Sequence, residues 1–199
     1  MTAKENFRVA QTQRKIKSAF WHLLATEGFA NISVKQILQS ANINRSTFYT
    51  YFDNKEDLLN IIETDLFNDF KSIAQTLPLE EFMARQPREQ IIQEYYHQLV
   101  QYIYQNGENF ALLASPQGDP AFTTKLLDLA QSIWQTNQIM ENLTVPQHYA
   151  FTGLLALTTS LINDWAKNGF QETPAEFEKI LRSMITPILL GDLFNKTTN

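Results

Sequence analysis

Between Gly28 and Asp53 the chain starts two helices in quick succession, each too short to stand alone. Ser33 is a natural N-cap, and Gln36 completes a capping box in which the two residues satisfy each other's free backbone donors. Behind the cap, Val34, Ile37 and Leu38 supply an apolar face that ends near Ala41. Asn42 follows, placed for the left-handed turn that asparagine tolerates. Asn44 then opens a helix over Arg45 to Phe52. Phe48 and Phe52, four apart, share its inner face, which leaves Arg45, Ser46, Thr47, Tyr49 and Thr50 on the outer one. Helices of this length are unstable in water by themselves, so neighbours must hold both.

The neighbours are legible. From Thr12 to Glu27, Ile16, Ala19, Phe20, Leu23 and Leu24 form one helical stripe, stopped by Gly28. Asp53 and Glu56 read as a second capping box, opening a long helix carried by Leu58, Leu59, Ile62, Leu66, Phe70 and Ile73 as far as Leu77-Pro78. Further helices are expected at about 87–106, 119–141, 146–168 and 174–194. The breaks between them are Asn106-Gly107, Ser115-Pro116-Gln117-Gly118, Val145-Pro146 and Asn168-Gly169. With 6 Gly and 7 Pro in 199 residues and no useful strand-like alternation, the fold class is all-α.

Charge narrows the function. The net charge of −5 hides a division: residues 1–55 carry eight Lys/Arg against three Asp/Glu, residues 56–199 eight against eighteen. A basic head on an acidic body suits a chain that meets a polyanion at one end. The chain has no cysteine, which excludes disulfides, zinc-thiolate sites and thiol nucleophiles. His22, His97 and His148 are scattered without metal-ligand spacing, and there is neither a Gly-rich phosphate loop nor a Gly-x-Ser-x-Gly elbow. An enzyme is therefore not expected, and no metal or cofactor is implied. The opening residues lack a secretory pattern, and the richest apolar run, Phe151 to Ile162, is too short to span a bilayer. A cytoplasmic protein without a membrane partner is expected.

Two short helices joined by a tight turn, with a stripe helix before and a long helix after, describe a helix-turn-helix. At this point the residues resemble a known family. The stretch from Ser33 to Leu59, and above all Thr47-Phe48-Tyr49-x-Tyr51-Phe52-x-Asn54-Lys55-Glu56-x-Leu58-Leu59, is similar to the DNA-binding domain of the TetR (tetracycline-repressor-like) regulators. Gly28-Phe29 at the end of the preceding helix fits too; Asn42 and Ser46 depart from the family's usual Gly and Gly/Ala. The resemblance covers about fifty residues.

It implies a three-helix DNA-binding domain over 1–56 and a helical-bundle effector-binding and dimerisation domain over 57–199. By position it makes Lys35, Arg45, Ser46, Thr47 and Thr50 candidates for base or phosphate contact on double-stranded DNA. Tyr49, Tyr51 and Lys55 become phosphate contacts. Ile43, Phe48 and Phe52 are assigned to packing. It further implies a homodimer built on the last two long helices, reading a palindromic operator. The apolar residues there agree: Phe151, Leu154, Leu161 and Trp165 on one helix, Phe177, Leu181, Met184 and Ile188 on the other. Candidate effector contacts are Tyr95, Tyr96, Tyr102, Phe110 and Trp134, with His97 and Trp165 as further candidates. The expected function is a repressor released from its operator by a small molecule. The alternatives are control by a protein partner, or activation.

Overall fold

The computed structural model describes residues 3–84, 88–136 and 143–195. Those residues are helical apart from their connections and one isolated antiparallel bridge, Leu143 to Phe194. In chain order come α1 (Ala3–Glu27), a 3₁₀ turn (Phe29–Asn31), α2 (Val34–Ala41), α3 (Arg45–Tyr49) and α4 (Lys55–Ala74). They are followed by α5 (Leu79–Ala84), α6 (Glu89–Leu113), α7 (Phe122–Thr136), α8 (Gln147–Lys167) and α9 (Pro174–Leu190).

The chain packs as two compact units, residues 1–67 with 112–123, and residues 68–111 with 124–199. By packing, the first unit therefore runs past residue 56 and takes in a remote segment. Its core is the expected stripe of α1 (Ile16, Ala19, Phe20, Leu23, Leu24) against Ile37 and Ala41 of α2, Phe48 and Phe52, and Leu58, Leu59 and Ile62 of α4. Leu113 and Phe122 are buried as well. The 112–123 segment is tied in by Phe29 N–H, which donates to Gln117 O at 2.7 Å, and by the Phe122 ring stacked on Phe67 with centroids 5.4 Å apart.

The second unit is built around Phe82, Ile92, Tyr96, Leu99, Val100, Ile103, Leu154, Trp165, Phe177, Leu181, Ile185 and Leu189. Its joint between α8 and α9 is specified locally. Gly169 takes φ 69°, Gly169 N–H donates to Ala166 O at 3.0 Å and Phe170 N–H to Trp165 O at 2.9 Å, so the orphan carbonyls of α8 are satisfied by a Schellman motif. Thr173 and Glu176 then form a capping box with Pro174 in the first turn, where its missing N–H costs nothing. The hydrogen bond from the Thr173 hydroxyl, followed by that from its backbone, holds the Glu176 carboxyl below its ordinary pKa.

Three expectations are corrected. Asn106-Gly107 does not break a helix: α6 runs through it to Leu113. The glycine is there for space, since a Cβ on Gly107 would lie 2.7 Å from Phe170 Cζ. Asn54, not Asp53, caps α4, because its side-chain oxygen accepts from Asp57 N–H at 2.7 Å while the Asp57 carboxylate reaches back to Asp53 N–H. The last helix stops at Leu190 rather than at 194, one turn after the internal Pro187.

Gly107→Ala has a defined expectation. The Phe170 ring is held between Tyr104 and Trp165, with centroids 5.4 and 4.9 Å away, and has little room to retreat. Overpacking of this kind costs about 1–3 kcal/mol, partly offset by the better helix propensity of alanine. A net loss of about 1 kcal/mol is expected by thermal or denaturant melting; an unchanged midpoint would show that the ring yields.

Candidate nucleic-acid interface

The turn between α2 and α3 forms for the reason its residues suggest. Ser33 and Gln36 make both halves of their capping box. At the other end of α2, Asn42 sits at φ 51°, ψ 55°, and Ile43 N–H returns to Leu38 O at 3.1 Å. The sharp reversal sets α3 at its angle to α2.

Regular α-helix in α3 covers Arg45–Tyr49 only, shorter than the expected stretch to Phe52. Phe48 O nevertheless accepts from both Tyr51 N–H and Phe52 N–H, so the chain keeps turning to Phe52. Asn44 stands at the N-cap but its side chain makes no capping hydrogen bond. Phe48 is fully buried and packs on Phe52 at 5.5 Å. Buried phenylalanines lock one face, and the opposite face presents Arg45, Ser46, Tyr49 and Thr50 to solvent, with Thr47 half-buried.

The exposed groups differ in readiness. The Arg45 guanidinium lies 5.4 Å from the Tyr49 ring centroid, a cation–π contact that restrains a long side chain without consuming its five donors. Tyr49 is 43% exposed and braces edge-on against Phe48. The Thr50 hydroxyl donates to Ser46 O at 2.9 Å, so it must rotate before it can donate to a phosphate. Tyr51 is half-buried beside Phe52. Lys35 is exposed on α2.

Lys55 is half-buried and already engaged. Its ammonium donates to Phe29 O at 2.9 Å and Ala30 O at 3.4 Å, 4.7 Å from the Phe29 ring centroid. One of its three donors is left for an external partner. This clasp between the start of α4 and the 3₁₀ turn has no local sequence signal, because its two ends are 26 residues apart.

The candidate effector tyrosines and Phe110 are engaged in ring contacts of the second unit. Tyr96 is buried in the core of the second unit, where its phenol oxygen accepts from the Thr186 hydroxyl at 3.3 Å. Tyr95 lies edge-on to it, and Tyr102 is packed between Phe70 and Phe110. Burial pushes the phenols of Tyr95, Tyr96 and Tyr102 up, Tyr102 being raised further by Asp69, so all three stay neutral. The side chain of Trp134 lies outside the described residues. His97 is exposed, with Nδ1 3.2 Å from the buried Glu178 carboxylate. The second unit also carries two clefts that none of these residues lines. One, of about 520 Å³, is bounded by Leu127, Gln131, Phe151 and Leu155; the other, of about 450 Å³, by Tyr104, Glu108 and Phe170.

The candidate dimer residues divide by burial. Leu154, Trp165, Phe177 and Leu181 turn inward, and Trp165 stacks on Phe177 with centroids 4.0 Å apart. They are used by the protomer's own core. Phe151 and Leu161 are half-buried. Met184 and Ile188 face outward, 44% and 42% exposed, and are joined by Ile180 at 39%. At i, i+4 and i+8 these three make one apolar stripe on α9.

Comparison with known proteins agrees with the geometry. Residues 16–62 match the tetR family of bacterial regulatory proteins, and residues 90–187 match a transcriptional regulator C-terminal region. The chain belongs to the tetR family. It is 47% identical over 62 residues, 29% of this chain, to the HTH-type dhaKLM operon transcriptional activator DhaS of Lactococcus lactis; that match spans 33% of the relative's length. A TetR transcriptional regulator from Streptococcus agalactiae shares the fold at TM-score 0.59 and 23% identity, over 91% of this chain and 97% of that one. NalD of Pseudomonas aeruginosa, the secondary repressor of the MexAB-OprM multidrug efflux pump, does so at TM-score 0.58 and 18% identity, over 94% and 98%. No described helix is long and apolar enough to cross a membrane.

Proposed function

We propose that this protein is a sequence-specific DNA-binding transcriptional regulator that lays α3 in the major groove and works as a twofold dimer on a palindromic operator. The observation that carries the reading is the two-faced α3: Phe48 and Phe52 sealed inside, Arg45, Ser46 and Tyr49 outside. A groove-reading helix needs a rigid inner face and short or forked donors on the outer one. Arg45 is assigned to a base edge, Tyr49 and Lys35 to phosphates, and the remaining donor of Lys55 to a phosphate at the start of α4. Dimerisation is assigned to the α9 stripe of Ile180, Met184 and Ile188, an apolar surface that a second copy can cover.

The sign of regulation has two readings. Release by a small molecule fits the cleft beside Leu127, Phe151 and Leu155, whose volume falls in the range of small-ligand sites. Activation is favoured by the likeness of the DNA-binding region to an operon activator.

Selection of bound duplexes from a random pool, followed by fluorescence anisotropy, tests the assignment. A palindrome should be enriched. Arg45→Ala should weaken it by about 1–3 kcal/mol and relax one base position in each half-site. Tyr49→Phe should weaken all sequences alike. If no sequence is enriched and binding is weak and governed by salt alone, the reading fails.

A further inference from the structure

The stripe that seats α1 in the core begins at Ile16, yet the helix begins at Ala3. Ten described side chains, Asn6 to Lys15, spanning about 15 Å at the helical rise, therefore precede the first buried one. The register explains why none of them is fully buried. Positions 9, 12 and 13, where the apolar stripe would continue, hold Val9, Thr12 and Gln13, all only half-buried. Every other side chain described between Asn6 and Lys15 is exposed.

What the overhang displays instead is cationic. Arg8, Gln11 and Lys15, at i, i+3 and i+7, share a face to one side of the core stripe, and Arg14 lies on the adjoining side. Between Asn6 and Thr26 the sequence has no Asp or Glu, so no acidic residue of α1 lies near this face except at its ends. Lys17, one turn inside, is by contrast paired with Asp65 of α4. A stretch of helix whose core-side positions are only half-buried and whose outer side chains are cationic is suited to a polyanionic partner.

We propose that residues 6–15 of α1 form a second DNA-binding element, in which Arg8, Arg14 and Lys15 clamp backbone phosphates flanking the bases read by α3. The inference rests on the DNA-binding reading above and adds to it a distinct electrostatic contact. The clamp carries no sequence information. It increases affinity for every duplex, lengthens the footprint, and steepens the dependence on salt.

The test uses the full chain and the palindrome enriched from the random pool. Each cation that neutralises a phosphate contributes about 0.9 to the slope of log K against log salt. R8A/K15A removes two cations from each of two protomers and should lower that slope by about 3.6, while leaving the selected consensus and the melting temperature unchanged, since both side chains are exposed. Hydroxyl-radical protection should retreat from the outer flanks of each half-site and remain at the centre. Arg45→Ala is the control that relaxes a base position without shortening the footprint. An unchanged slope and footprint in R8A/K15A, with tight binding by the wild type, overturns the clamp and leaves the DNA-binding reading intact. A shift of the double variant to a different oligomeric state would also overturn it, by assigning the overhang to a protein contact. Failure of the wild type to enrich any sequence would remove both.

Discussion

Phe48→Ala should abolish operator binding and lower the stability of the protein by about 3–5 kcal/mol, the range for truncating a fully buried phenylalanine. Phe48 has no exposed surface and touches both Phe52 and Tyr49. Removing its ring loses the deepest anchor of a helix with a single regular turn, and leaves only Phe52 and the Asn42 turn to hold its angle. For a chain of this length the loss corresponds to a fall of about 10 °C in the melting temperature. Calorimetry and anisotropy together decide the matter. A variant that melts normally yet fails to bind would show that the ring orients α3 without contributing to global stability; one that binds normally would show that Phe52 and the Asn42 turn suffice to hold α3.

Introducing charge into the α9 stripe should have an effect as large by another route. Met184→Glu with Ile188→Glu replaces two exposed apolar side chains, so the fold of the protomer should survive, with an unchanged helical circular dichroism signal. Four carboxylates facing one another across a twofold axis cannot be desolvated together, and the protein should sediment as a monomer. A monomer loses the effective concentration that links the second half-site to the first, a factor of about 10²–10⁴ in apparent affinity. A dimer that persists in the double variant would move the interface elsewhere. Leu154, Trp165, Phe177 and Leu181 do not serve this test, because their substitution would unfold the second unit first.

Much of the DNA-reading unit was legible from the residues, since its information is local. A capping box needs two residues three apart, an αL turn needs one asparagine, and an inner face needs two phenylalanines four apart. Each became visible in Ser33, Gln36, Asn42, Phe48 and Phe52. The effector residues were chosen for aromatic chemistry alone, and aromatic chemistry does not distinguish a pocket from a core: Tyr96 turned out to be core. The same ambiguity touched α8 and α9. Apolar residues around most of a helix show that two surfaces are covered, but periodicity cannot say which residue meets which surface. Gly107 misled for a related reason, as a glycine inside a helix reads as a stop until the ring that needs its missing Cβ is known. The clasp of Lys55 on the 3₁₀ turn and the overhang of α1 were missed because neither involves an apolar pattern.

The place of residues 112–123 bears on how such a protein can be cut and recombined. The segment lies between α6 and α7 along the chain, yet packs within the unit that carries α3. A head excised at residue 67 would leave the amide of Phe29 without Gln117 and strip the Phe67 ring of its stacked neighbour. A chimera that exchanged residues 1–67 alone would set a foreign head against a native 112–123 segment. The specificity module is thus discontinuous in the gene: transplanting its reading head onto another body requires two grafts, and drift in the head constrains drift in a stretch of sequence some fifty residues away.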